Sequence, residues 1–297
     1  MRAGAGSSAS FLGDDLGPRG RRRVLLATVV SLVAIAALLA VAAMRFADNG
    51  QFRAARWRPF TEWSVIRFLL VGFVNTLKAA GVAMVLAMVV GTVMALTRLG
   101  THRWARWPAV FYVEFFRAVP LLLLIFFLFF GLPVIGVRIS SFRALVLGLA
   151  IYNGAILGEI FRAGILSLDR GQGEAASAIG LTRRQGMTFV ILPQAVRRMA
   201  PAVVSQLITL LKDTALGALI TYDDALRRAE TIGGYYNNRL QAFLFVAVCY
   251  IAVNLVLSRL ARRLEMRQQR RLGASRIDVV GVEDLAVVGA QADAARA

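Results

Sequence analysis

Residues 171–195 read GQGEAASAIGLTRRQGMTFVILPQA, a small-residue, polar and basic stretch lodged between two long apolar runs. On its own it spells a helix, a bend and a second helix. Glu174, Ala175, Ala176 and Ala178 favour helix, Glu174 lies near the N-terminal end where the helix dipole favours an anion, and Gly180 supplies a stop. Thr182 with Gln185 three residues later has the pattern of a capping box and starts the second helix. Pro193 is expected to break or kink the chain before the next apolar run. Small side chains at 175, 176, 178 and 180 let another protein's surface approach the backbone, and Ile179 and Leu181 add modest apolar knobs. A connector of this length can simply join two spans; this one reads as a docking element.

The rest of the chain is shaped to dissolve in lipid. It has 297 residues, 58% of them hydrophobic, and a mean hydropathy of +0.64. Six apolar runs, roughly 24–44, 68–97, 108–132, 144–166, 197–221 and 240–260, are each long enough to cross about 30 Å of hydrocarbon as a helix. Only helices or closed barrels satisfy the backbone there, so the expected fold is an all-α membrane protein with six transmembrane helices. The first run follows Arg21–Arg23 and is longer than the apolar part of a signal peptide, so it reads as a retained anchor. Arginines concentrate in alternate connections, which places both termini, the 98–106 connection and the 171–195 stretch in the cytoplasm.

Scarce residues exclude whole classes of chemistry. The chain has one cysteine, Cys249, one histidine, His102, and two lysines, Lys78 and Lys212. An internal disulfide is impossible, and a zinc site or a Cys–His nucleophile pair lacks its residues. Neither lysine stands in a Gly-Lys-Ser/Thr phosphate loop, so any ATP that drives this protein is bound by another subunit. The net charge of +18 sits mostly between apolar runs and reports topology, with no nucleic-acid partner implied. Residues 1–23 read as a cytoplasmic tail, Trp57 and Trp63 as an interfacial belt, and the segment from Arg259 as a basic helix against anionic lipid that gives way to a disordered end within 263–297.

Glu114, Arg117, Asn153, Glu159, Arg162, Lys212 and Asp213 fall in or near apolar runs, where an unpaired charge costs several kcal/mol. They are expected to face a partner or water. Glu159 and Arg162 are three apart and share a helix face; Lys212 and Asp213 are adjacent and point in different directions. Asn153, Glu159, Arg162, Lys212 and Asp213 are the candidates for a solute path, and an ion-pair network holding the bundle together is the plainer account of the same residues.

EAASAIG followed after nine residues by VILPQA resembles the EAA loop of permease subunits of ATP-binding-cassette importers. There it forms the coupling helix that fits a groove on the ATPase; Val190 stands where isoleucine is usual. The resemblance runs over residues 68–262. GFVNTLKAA, FFRAVPLLLLIFFLFFGLP, YNGAILGEIFRAGILSLDRGQGEAA and LLKDTALGALI, in that order, are similar to the polar amino acid branch, and within it to actinobacterial glutamate-type permeases. Ala118, Ser205, Gln206 and Ala215 depart from that branch's usual residues. The resemblance implies a type I permease core of five helices, with 24–44 as an added one. It also implies docking of an ATPase dimer through Glu174, Ala175, Ala176, Gly180 and Leu181, with ATP and magnesium used by that partner and no cofactor or metal held by this chain. A second permease subunit, sister or self, an extracytoplasmic solute-binding protein and a bacterial cell membrane complete the expectation. Glutamine or another polar or basic amino acid are alternative solutes, and a non-transporting assembly or scaffold subunit is the alternative from another class.

Overall fold

The computed structural model describes residues 17–259 together with 262, 263 and 266, and among these every regular element is helical. The N-terminal stretch 1–16 and nearly all of the expected C-terminal basic helix and tail lie outside the described residues. Two compact units result, divided between Pro59 and Phe60.

The first unit is built on α1 (Pro18–Asp48), whose proline occupies the first turn, where its missing N–H costs nothing. From Arg19 onward nearly all its side chains are exposed, and 31 residues span about 46 Å. A single turn, Ala54–Trp57, follows; the Trp57 indole donates to the Gln51 carbonyl at 3.1 Å.

The second unit is organised by α2 (Trp63–Leu99) lying along α5 (Ser141–Leu166). Ala79, Ala83, Ala87, Gly91 and Ala95, four apart on α2, are buried, and a methyl group on Gly91 would come 2.8 Å from Leu157 Cβ. One on Gly154 would come 2.7 Å from Val90. Small residues let two membrane helices approach closely enough for dispersion to hold them, since lipid offers no hydrophobic drive between helices. The register, Val90 on Gly154, Met94 on Gly158 and Arg98 on Glu159, makes α2 and α5 parallel. The chain between them must therefore return across the bundle.

That return corrects the expected straight span over 108–132. Two helices carry it, α3 (Arg103–Ala118) and α4 (Leu121–Phe126, continued by wider and tighter turns to Ile135), bent by 103°. Pro120 has no N–H to continue the ladder and forces Val119 into an extended conformation at φ −77°, ψ 128°. With the bent pair taken as one span, the described residues hold six helices or helix pairs long and apolar enough to cross a membrane, and otherwise five.

Pro193 was expected to break or kink the chain, and the helix is not broken there. After the short α6 (Arg170–Ala178), helix runs without a break over Arg183–Ile220. A π-helical stretch, Gly186–Ile191, widens the turn next to the residue that lacks a donor, and Pro193 then opens α7 (Leu192–Asp213). Beyond a 3-10 segment to Ile220 comes α8 (Ala225–Tyr235), a helix outside the expected spans, packed on the N-terminal part of α2. The long apolar helix that follows is α9 (Arg239–Arg259).

Candidate functional site

α6 lies just past the C-terminal end of α5 and is built from local signals. The Asp169 side chain caps it, accepting from the Gly171 N–H at 2.9 Å. The anion at the helix start is therefore Asp169, and Glu174 sits in the middle of the helix with its side chain exposed, a correction to its expected place. The helix stops as its sequence dictates. Gly180 takes φ +83°, its N–H bonds to the Ser177 carbonyl at 3.0 Å, and the Leu181 N–H reaches back to Ala176 at 3.1 Å. The capping box is formed as well: the Gln185 N–H donates to the Thr182 hydroxyl, and the Thr182 N–H donates to the Gln185 side chain at 2.9 Å.

The expected docking residues separate into two groups. Glu174, Ala175 and Gly180 are exposed, as are Ala178 and Ile179; Ile179 is 76% exposed, and nothing lies within 4 Å of where a Gly180 methyl would stand. Leu181 is half-buried. Ala176 is buried, which removes it from any outward-facing surface. It packs toward Gly186, whose added Cβ would stand 3.3 Å from the Ala176 methyl, so its small size serves the approach of the two helices of the loop. The Gln194 amide donates to the Gln172 side chain and to the Val190 carbonyl, each at 3.0 Å, and Arg198 donates to the Ser167 carbonyl at 2.7 Å. α6 is thus stitched to the start of the long helix behind it.

A second constellation joins α2, α3 and α5. Glu159 accepts from Arg162 at 3.1 Å, the pairing expected from their spacing, and also from Arg98, whose side chain is only 8% exposed. Arg98 also lies 3.9 Å from Glu114. Sequence reading missed Arg98, because an arginine in the last turn of a span looks like an ordinary topology charge and its partner is 61 residues away. Asn153 is buried; it donates to the Leu149 carbonyl and accepts from the Gln206 amide at 2.7 Å, tying α5 to α7. Lys212 is exposed and lines a largely apolar groove of about 650 Å³ with Phe243, Tyr250 and Asn254 of α9. Among the described residues no ion pair joins Lys212 or Asp213 to Glu159 or Arg162, so the four charges do not form one cluster.

Parallel small-residue packing and five or six helices long and apolar enough to cross a membrane describe a multi-pass helical bundle among the described residues, and the comparisons with known proteins say which kind. Residues 87–270 match the family described as binding-protein-dependent transport system inner membrane component, and the chain belongs to it. The glutamate transport system permease protein GluD of Corynebacterium glutamicum is 39% identical over 238 residues, 78% of this chain and 86% of that protein. The probable glutamine ABC transporter permease protein GlnP of Bacillus subtilis is 41% identical over 211 residues, 68% of this chain and 94% of that one. Among solved structures, an amino acid ABC transporter crystallised with histidines is 32% identical, with a TM-score of 0.65, and 68% of this chain covers 94% of it. This is an amino acid ABC permease subunit and not itself a catalyst.

Proposed function

We infer that the chain is the membrane path of an ATP-driven importer of polar amino acids, glutamate first among them, and that α6 is its contact with a separate ATPase dimer. The observation that carries this is the outward face of α6. Glu174, Ala175 and Ala178 lie together on the helix, Ile179 projects beyond it, and Gly180 leaves open space at the end. A partner groove can close on that face without displacing anything. Work done there passes into the helical run Arg183–Ile220, because Ala176 and Gln172 tie α6 to its first turns. That run is 38 residues, a lever of roughly 55 Å. The ATPases would use ATP and magnesium, and their closure would swing the spans between inward-facing and outward-facing arrangements.

In this reading residues 68–262 are the permease domain with its coupling loop at 171–195. Residues 24–44 are an added span, and 1–23 and 263–297 are cytoplasmic tails. A second permease subunit completes the path and a binding protein delivers solute to the far side. Asn153 acts through Gln206, and Glu159, Arg162, Lys212 and Asp213 are the charged groups available to a zwitterion with an extra carboxylate. The glutamate permease among the relatives supports that solute, and the glutamine permease of similar identity makes glutamine the second reading.

Gly180→Trp tests the coupling role. The variant is expected to insert in the membrane and to lose solute uptake and stimulation of the partner ATPase, whereas unchanged uptake and stimulation would refute docking through this loop and favour a scaffold role. Uptake of labelled glutamate, glutamine and arginine by cells carrying the complete system tests the solute; glutamate is expected to exceed arginine, and preferential arginine uptake would overturn the glutamate assignment.

A further inference from the structure

One face of α3 has no part in coupling, and only Glu114 at its edge belongs to the charged cluster. Trp104, Trp107, Phe111 and Phe115 recur at spacings of three, four and four, which places them in a single stripe along the helix. All four are exposed, Trp104 at 93% and Trp107 at 74%. The rotation of the helix is fixed from the other side. Ala109 and Val113 are buried, and the Tyr112 hydroxyl donates to the Ile151 carbonyl of α5 at 2.8 Å. Arg103 and Arg106 are exposed at the same end as the two tryptophans, and neither forms an ion pair among the described residues.

We propose that this surface binds anionic phospholipid of the cytoplasmic leaflet. The proposal rests on the orientation given above, which puts the 98–106 connection in the cytoplasm. The two indoles sit at the headgroup boundary, where an apolar ring with a polar N–H is best accommodated, and Phe111 and Phe115 lie deeper, against acyl chains. Arg103 and Arg106 meet the lipid phosphates. Charge complementarity selects the occupant: a purely apolar stripe would accept any lipid, and two guanidinium groups beside the indoles, with no ion pair among the described residues, favour a negative headgroup. Each basic residue near an anionic surface contributes about fivefold to the local preference. Because Glu114 of the same helix approaches Arg98, lipid held at the start of α3 also steadies the charged cluster.

The chain has four tryptophans, so Trp57→Phe/Trp63→Phe leaves Trp104 and Trp107 as its sole indoles. The full-length variant, reconstituted in phosphatidylcholine vesicles, is titrated with brominated phosphatidylglycerol and separately with brominated phosphatidylcholine, and indole quenching is read. Quenching by the phosphatidylglycerol is expected to be about fivefold or more steeper, and Arg103→Gln/Arg106→Gln in the same background should bring the two titrations close together. Equal quenching by both lipids would overturn the proposal, as would an enrichment that the arginine changes leave intact. Quenching by neither lipid would show the indoles covered by protein, a second copy included, and would overturn it too. A reporter fusion at Arg184 separates the two layers of argument. An extracytoplasmic signal there sinks the orientation, whereas a cytoplasmic signal with no lipid preference sinks only the lipid site.

Discussion

α6 and α8 are short helices at opposite ends of the same bundle, and they are held in contrasting ways. α6 is capped by Asp169, stopped by Gly180 and followed by a capping box, all bonds between residues close in sequence. α8 has a local cap too, at Asp224, but is held in addition by distant partners. Arg228 grips Asp223 through two hydrogen bonds of 2.9 and 2.6 Å, donates to the Phe68 carbonyl at 2.8 Å and lies 4.4 Å above the Phe68 ring. Asn75 donates to the Asp223 carbonyl, the Tyr222 hydroxyl donates to the Asn75 carbonyl, and the Ala225 N–H donates to Thr76. A helix held by its own caps keeps its shape when pushed and can move as a body. A helix bonded to a neighbour some 150 residues away moves only with that neighbour. The first suits a coupling element, and the second suits a fixed floor or lid.

The sharpest way to break this contrast is at Gly72, where α8 rests directly on α2. A Cβ there would stand 2.7 Å from Arg228 Cδ and 2.8 Å from the Asp224 carbonyl oxygen, and the backbone contact cannot yield cheaply. Gly72→Leu is expected to cost more than about 3 kcal/mol and to sharply lower the yield of folded protein in the membrane. Gly180→Trp should leave that yield nearly unchanged. Equal losses from the two would show that the local and the distant modes of attachment are not mechanically different.

Arg98→Met comes next in size. It strips Glu159 of its more buried partner and leaves Arg162, so the carboxylate is half-compensated; a loss of about 2 kcal/mol in thermal stability is expected. The part-exposure of Glu159 keeps the figure below that of a fully buried pair. Lys212→Met should behave differently, lowering amino acid uptake several-fold with little change in melting temperature, since no carboxylate within ion-pair reach is left alone among the described residues. A stability loss as large as that of Arg98→Met would make Lys212 a structural residue.

The contrast also explains what could be read from the sequence. The bend at Gly180 and the box at Thr182–Gln185 were legible because each signal lies within a few residues of its effect. Five of the six expected spans were legible as helices because hydropathy is additive over a window. Pro193 was read as a break or a kink; of the two, the break is absent, because the residue sits in the first turn of α7 once the π-helical stretch widens the ladder ahead of it. Pro120 misled: the apolar run passes through it, and only the geometry of Val119 turns one span into two helices at 103°. Ala176 looked available because smallness serves a partner's approach and an internal approach equally well. Arg98 and the whole of α8 were hidden, since their stabilising contacts lie at sequence separations that periodicity and capping rules do not reach.

The smallest expected effect lies in the cap of α8, and its sign follows from burial. Asp224 is buried; its Oδ1 accepts from the Arg227 N–H at 2.8 Å, and its Oδ2 has no hydrogen-bond partner among the described residues. Desolvation of the charged form pushes its pKa up from 3.8 to about 6, with neighbouring Asp223 adding to the rise and backbone N–H groups opposing it. The folded protein therefore holds this proton more tightly than the unfolded chain does. The stability that it contributes is complete below about pH 4 and is lost as pH rises through about 6. Acidification from pH 7 to pH 5 should protect residues 222–238 from hydrogen exchange by about 1 kcal/mol, and little should change in α6. Asp224→Asn keeps a competent N-cap without the titration, so it should show the protected level at both pH values. If the wild-type helix instead loosens on acidification, the carboxylate is ionised and satisfied in the folded state, and α8 is held by a charge that its packing does not show.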